Sequence, residues 1–318
     1  MKALTHPHPK RLGKLKAHKL SVMAIFRNEA HLFKEWIEHY FDEGVEHFYL
    51  INHNSTDNYL DVIRPYMEHI SLVHTKLKSP QCQKIYDKVY SIVDSDWLLV
   101  CDIDEFVYAR RGYDTIVDFL KDKGENETKV NFNQIVIPSV DFHNAGIEKQ
   151  PESVVDSFVI RTSHEPISNN SSSPPPISLT KAIIHTGGNI DKHFGVHHHN
   201  VNGLTVNGNL TKRGSFNHNN RTWNEYIKEL RRPIESLIET SYLKVNHYRF
   251  QSKEFYWNVK QHRGDVTGNW GFTDKGDFEI YNNGENMFEH NWRVVHNMKA
   301  KKDTELLEKK NNVKSSSS

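Results

Sequence analysis

Asp102-Ile103-Asp104-Glu105-Phe106 is the segment best equipped for chemistry. It follows Trp97-Leu98-Leu99-Val100-Cys101, the most apolar of the predicted strands. On extended backbone, carboxylates two residues apart point the same way. Hard divalent cations such as Mg²⁺ or Mn²⁺ take carboxylate oxygens together with substrate phosphates rather than a full protein cage. The pair Asp102 and Asp104 therefore suits a metal ion that carries a diphosphate. A second constellation is His193, His197, His198 and His199, in a chain with 21 histidines. Adjacent side chains on a strand face opposite ways, so three consecutive rings cannot address one ion. Neither Cys82 nor Cys101 lies at the spacing a structural zinc site would need.

An acidic site at a strand end needs a sheet to carry it. Leu20 to Phe26 is a short apolar run that predicts a buried strand. Leu32, Phe33, Trp36, Ile37 and Tyr40 then recur at helical spacing up to Gly44. Phe48–Ile51 and Ile70–His74 predict two further strands, separated by a helix carrying Leu60, Ile63 and Met67 with Asp57 as its cap. Ile85, Val89 and Ile92 share one face of another helix before the strand at Trp97. This alternation predicts an α/β fold whose first hundred or so residues form a parallel, doubly wound sheet, with ligands outside the carboxyl ends of its strands. Beyond Phe106 the pattern loosens. Strands are expected at 134–138, 158–161 and 178–185, a Ser/Asn/Pro loop at 168–176, and helices at 113–120, 223–238 (interrupted by Pro233) and 255–262. The tail from Lys299 is charged and is expected to fray.

The 318 residues suit about two domains, or one large α/β unit with additions. Lys plus Arg is 41 and Asp plus Glu is 40, a net charge of +1, which gives no footprint for nucleic acid. No run of 18 apolar residues predicts a membrane span. Two cysteines form no disulfide framework and the first twenty residues hold no apolar signal core, so a cytoplasmic setting is expected.

Several segments carry a family resemblance. Ser21 to Glu29, Glu35-Trp36-Ile37-Glu38-His39-Tyr40 and Gly44 to Tyr49 resemble the start of a GT-A glycosyltransferase. They are most similar to glycosyltransferase family 92 and its family 2-like relatives. Asn54-Ser55-Thr56-Asp57 resembles the nucleotide-binding loop, and Trp97 through Phe106 the metal-binding DxD segment. Lys181 to Ile184, Val196-His197-His198, Asn246-His247-Tyr248-Arg249, Lys260 and Arg263-Gly264 follow in the family's order.

The resemblance implies a GT-A fold with a mostly parallel, Rossmann-like sheet flanked by helices and an irregular acceptor-side region. It divides the chain into a basic segment at 1–19, a domain at 20–265 (nucleotide half 20–110, acceptor half 111–265) and an extension at 266–318. It implies transfer of a sugar from a nucleotide-sugar donor to a glycan or other acceptor hydroxyl, in the inverting sense, with Mn²⁺ or Mg²⁺. Asp104 would hold the metal, and Asp102 the metal or the donor ribose. Arg27 would meet a phosphate, and Asn28, Glu29, Asn52 and Asp57 would form the donor site. Asn52-His53 stands where the family often has Asp-Asn. His197, or alternatively His247, would add an imidazole to the metal. Asp156 is the chosen general base among Asp141, Glu148, Asp156 and Glu165. Two other functions remain open: a catalytically inactive relative that binds glycan or nucleotide, and a nucleotidyltransferase. The intact Asp102/Asp104 pair speaks against the first. The second would call for a Gly-rich basic loop where this chain has Arg27-Asn28-Glu29.

Overall fold

The structure, a computed structural model, describes residues 16–76, 83–126, 129–162, 180–187, 199, 201–213, 234–260 and 300–316. The apolar run at Leu20 lies within β1 (His18–Phe26), the centre of a parallel group. β1 pairs with β2 (His47–Asn52) on one side and β4 (Ser95–Val100) on the other, and β2 pairs with β3 (Ile70–His74), all parallel.

Side-chain alternation divides this group between two layers of helix. Leu20, Val22, Ala24 and Phe26 pack with Phe33, Trp36 and Tyr40 of α1 (Ala30–Asp42) and with Tyr59 and Ile63 of α2 (Tyr59–Ile63). Met23 and Ile25 face the opposite way, onto Ile85, Tyr86 and Val89 of α3 (Gln83–Tyr90). Strands buried on both faces read as continuous apolar runs, as these do.

Two local expectations are corrected. α2 stops at Ile63, because Pro65 turns the chain into a 3₁₀ turn over Arg64–His69, and Leu60 and Met67 are exposed. Asp57 does not cap α2. Its carboxylate accepts the Ala30 N–H, 2.8 Å away at the start of α1.

The second half is mixed. It runs through β5 (Glu105–Ala109), α4 (Ile116–Phe119), the short pair β6 (Glu125–Asn126) and β7 (Lys129–Val130), and β8 (Gln134–Asp141). Then come α5 (Val154–Ser157), β9 (Ile160–Thr162), β10 (Thr180–His185), β11 (Thr205–Asn207), α6 (Ile234–Thr240), β12 (Leu243–His247) and α7 (Lys253–Phe255). The main sheet runs β3-β2-β1-β4-β10-β8-β12-β5, with β11 added beside β8. β10 is antiparallel to β4 and β8, β12 is parallel to β8, and β5 is antiparallel to β12.

The order forces the sheet to curl. β4 and β5 are joined by Cys101 to Asp104, yet three strands lie between them in the sheet. Four strand spacings on a flat sheet span about 19 Å. Five residues reach about 17 Å when fully extended, and this link contains a turn at Ile103-Asp104. The far edge therefore folds back toward the carboxyl end of β4, which brings β12 to the acidic segment.

The tail is corrected too. β13 (Ala300–Lys302) pairs antiparallel with β9, and α8 (Glu305–Ser316) packs through buried Leu306. The loop at 168–176 and most of the helix expected at 223–238 lie outside the described residues; α6 starts just after Pro233. Among the described residues no helix is long and apolar enough to cross a membrane.

Candidate active site

The loops after β1 and β2 close on each other. Asn28 and Asn54 adopt left-handed backbone, φ 54° and 58°, which Asn tolerates better than most side chains. Asn28 Oδ1 accepts the Thr56 N–H at 2.8 Å, and the Asn28 N–H donates to Ser55 Oγ at 3.0 Å. Asn52 Oδ1 accepts the Ser55 N–H at 2.8 Å, and its Nδ2 donates to the Tyr59 hydroxyl at 2.7 Å. With Asp57 on the Ala30 N–H, the loops bring Arg27, Asn28, Glu29, Asn52 and Asp57 to one edge, at the carboxyl ends of adjacent parallel strands. The side chains of Asn28, Asn52 and Asp57 hold the double loop in shape.

The acidic segment is a turn, not the extended run expected from its sequence: the Glu105 N–H donates to the Asp102 carbonyl at 3.2 Å. α1 pins this turn. The Trp36 indole N–H donates to the carbonyls of Asp102 and Glu105, both at 3.1 Å, and the Tyr40 hydroxyl donates to the Glu105 carbonyl at 3.0 Å. His39, one position before, lies 2.7 Å from the Val107 carbonyl. Its burial, with the nearby Lys310 charge, pushes the imidazole down to about 3, so it is a neutral structural donor.

Because the backbone turns, the two aspartates meet different partners. Asp102 Oδ2 accepts from Lys181 Nζ at 2.8 Å, and the same ammonium lies 2.8 Å from Glu105 Oε2. Lys181 is on β10, next to β4, with its side chain 0% exposed. Burial alone would lower its pKa, but the charges of Asp102 and Glu105 raise it above the ordinary lysine range. Burial pushes the Glu105 carboxyl up, against the pull of Lys181. Glu105 also accepts the Asp102 N–H at 2.8 Å.

Asp104 is buried. Its Oδ2 accepts from Lys260 Nζ at 2.9 Å, and its Oδ1 lies 3.5 Å from His247 Nε2. Burial works to raise its pKa, but Lys260 and His247 hold the carboxyl well below the usual range. His247 ends β12 and lies 2.8 Å from Asp141 Oδ1 at the end of β8. Burial works to lower the imidazole's pKa; Asp104 and Asp141 overcome it and raise it to about 10. Among the described residues, Asp102, Asp104, Glu105 and Asp141 thus face Lys181, Lys260 and His247. Tyr86 of α3 adds a buried hydroxyl beside Asp102 with no hydrogen-bond partner among the described residues.

This donor set bears on the expected metal. Carboxylate and imidazole are donors that Mn²⁺ accepts, and the Asp102 side chain is 37% exposed. Among the described residues, however, no three His, Cys, Asp or Glu side chains are already grouped to hold an ion. The cationic positions are taken by Lys181 and Lys260. The residues fit a divalent cation in kind, on condition that an ammonium gives way and that the His247 imidazolium gives up its proton.

The remaining site expectations divide. His197 lies outside the described residues, as do His193, His198 and Glu165. His199 is buried, its N–H donating to Gln134 Oε1 at 2.8 Å. Asp156 is in the first turn of α5, exposed, its N–H capped by Ser153 Oγ at 3.1 Å. Glu35 of α1 holds that turn through the N–H of Val154 at 2.8 Å. Among the described residues, no hydrogen bond or ion pair joins Asp156 to the acidic turn. Glu148 pairs with Lys253 at 2.6 Å. Sequence reasoning left Lys181, Lys260 and Glu105 without a role. The signal for Lys181 was there: a lysine inside the apolar strand Thr180-Lys-Ala-Ile-Ile must find a buried carboxylate.

S. aureus TarS 1-349 overlays with a TM-score of 0.34 at 16% identity, over 53% of this chain and 47% of that chain. Its complex with UDP-GlcNAc gives 0.35 at 13%, over 70% and 67%. Bifunctional IspDF from Campylobacter jejuni gives 0.28 at 9%, over 53% and 41%. The chain thus spans about half the length of TarS 1-349. Among curated proteins none matches the sequence. The profile of glycosyltransferase family 92 matches residues 19–267, which takes in the double loop, the acidic turn, Lys181, His247 and Lys260. That match covers most of the sequence, and the chain belongs to glycosyltransferase family 92.

Proposed function

We propose that the chain transfers a sugar from a nucleotide-sugar donor to a hydroxyl of a glycan or other acceptor, with inversion at the anomeric carbon and with Mn²⁺ or Mg²⁺ beside the diphosphate. The observation that carries this reading is the acidic turn of a family 92 chain, set at the carboxyl end of a buried parallel strand and held by α1 on one side and His247 on the other. Asp104 would hold the ion, with an imidazole from His197 or alternatively His247, and with Asp102 as a further ligand or at the ribose. Bound there, a divalent cation supplies positive charge against the departing diphosphate. Arg27 meets a donor phosphate, and Asn28, Glu29, Asn52 and Asp57 form the wall that faces the nucleoside.

The acceptor oxygen bonds to the anomeric carbon as the bond from that carbon to the phosphate oxygen breaks, its electron pair leaving with the diphosphate. Asp156 takes the acceptor's proton. Its exposure supports that role. Asp141 is the second candidate, because it contacts the cluster through His247. A screen of nucleotide-sugars with Mn²⁺, read as nucleoside diphosphate release, tests the function; no release from any donor would contradict it. With the donor found, Asp156→Asn is expected to lower transfer by about 10²- to 10⁴-fold. Loss confined to Asp141→Asn would move the base there.

A further inference from the structure

The two lysines on the acidic turn are not equivalent. Lys181 is in the middle of the sheet, 0% exposed, and bridges two carboxylates. Lys260 ends the turn Tyr256–Lys260 after α7, its side chain 21% exposed, and is held by Asp104 Oδ2 and the Arg249 carbonyl. One is built into the fold; the other is attached at the rim.

Both carboxylate oxygens of Asp104 already face a cation. His247 faces Oδ1 from a strand end, fixed by Asp141, and Lys260 occupies Oδ2. A dication and an ammonium cannot share one carboxylate oxygen without strong like-charge repulsion. For Asp104 to ligate a metal, Lys260 is the group that can leave. Its departure strips a cation from a buried carboxylate and sends an ammonium in search of another anion. A metal ion alone meets the first need only. A metal ion arriving with a diphosphate meets both.

We propose that Lys260 is an exchangeable counter-ion, whose ammonium holds Asp104 while the donor site is empty and passes to the donor's diphosphate when metal and nucleotide enter together. Lys260 is then a donor-binding residue and the source of positive coupling between metal and nucleotide. Coupling of this kind is reciprocal: each ligand tightens the other by the same factor. The inference rests on the metal-dependent reading of the site.

Calorimetry of the full chain with Mn²⁺ alone, with UDP or GDP alone, and with both together tests it. Wild-type protein is expected to bind Mn²⁺ weakly alone and about tenfold or more tighter with nucleotide. Lys260→Met should bind Mn²⁺ alone about tenfold tighter than wild type, bind the Mn²⁺-nucleotide pair more weakly, and lose the coupling. Lys260→Arg, which keeps the charge, should restore part of the coupling and so excludes a folding defect. Unchanged Mn²⁺ affinity or unchanged coupling in Lys260→Met would overturn the exchange while leaving metal dependence in place. Wild-type protein that binds nucleotide equally well with chelator, or binds neither ligand, would overturn the metal reading and the exchange with it.

Discussion

At the scale of single residues, the burial of charge decides which side chains matter. Lys181 neutralises Asp102 and the buried Glu105 at 2.8 Å each, so its loss leaves a carboxylate in the interior without its cation. Lys34 makes a pair of similar length, 2.9 Å with Glu38, on the exposed face of α1. Distance alone would rank them together. The change Lys181→Met is expected to destabilise the fold by about 3–5 kcal/mol, and Lys34→Met by about 0–1 kcal/mol, as read from chemical denaturation. Equal small losses would mean that the acidic cluster is open to water. Asp102 and Asp104 were legible because they follow directly on an apolar strand, whereas Glu105 was given no role. Lys181's need for a buried carboxylate was legible in its apolar strand, but the partner of neither lysine was, because each meets its carboxylate from 79 or 156 residues away. No local spacing carries that information.

At the scale of elements, the C-terminal segment shows how pairing overrides pattern. Glu-Leu-Leu-Glu-Lys-Lys-Asn-Asn reads as a charged tail. In the fold, α8 brings Lys309 to Glu43 and Lys310 to Glu35, at 3.1 Å for the latter, while Asp303 before it meets Arg161 at 2.7 Å and Lys244 at 2.5 Å. Lys244 and Asn246 break the apolar pattern of β12 because Lys244 serves this ion network, which is why the strand escaped the sequence reading. The apolar faces of β1, α1, β2, β3 and β4 are built from buried hydrophobic side chains at regular spacing, and their patterns were sufficient.

Glu43, 2% exposed, accepts the N–H groups of Ala109 and Ile116, each at 3.0 Å. Burial pushes its carboxyl up from 4.5 to about 7, against the pull of Lys309. The folded chain therefore binds this proton more tightly than the unfolded chain does. The stability contributed is complete below about pH 4.5 and is lost as pH rises through about 7. Glu43→Gln removes this proton from the balance. Between pH 4.5 and 7, wild type is expected to lose roughly 3 kcal/mol relative to the variant, measured as the difference between their unfolding free energies. Parallel pH profiles would contradict the assignment.

At the scale of the molecule, one covalent constraint organises the site. Cys101 to Asp104 must link β4 to a strand four places along the sheet, so the sheet curls and β12 delivers His247 to Asp104. The parallel half was legible as strand-helix alternation. The curl was not, because it depends on antiparallel pairings between strands far apart in sequence, such as β12 with β5. We propose that this curled end binds a donor diphosphate through a metal held at Asp104. Electron paramagnetic resonance of Mn²⁺, titrated with UDP or GDP, tests it on wild type and on the near-isosteric Asp104→Asn, with circular dichroism to confirm folding. The account predicts that wild type takes up Mn²⁺ in step with nucleotide and that Asp104→Asn, still folded, loses this uptake and its transfer activity together. Undiminished nucleotide-linked Mn²⁺ uptake by Asp104→Asn would contradict it.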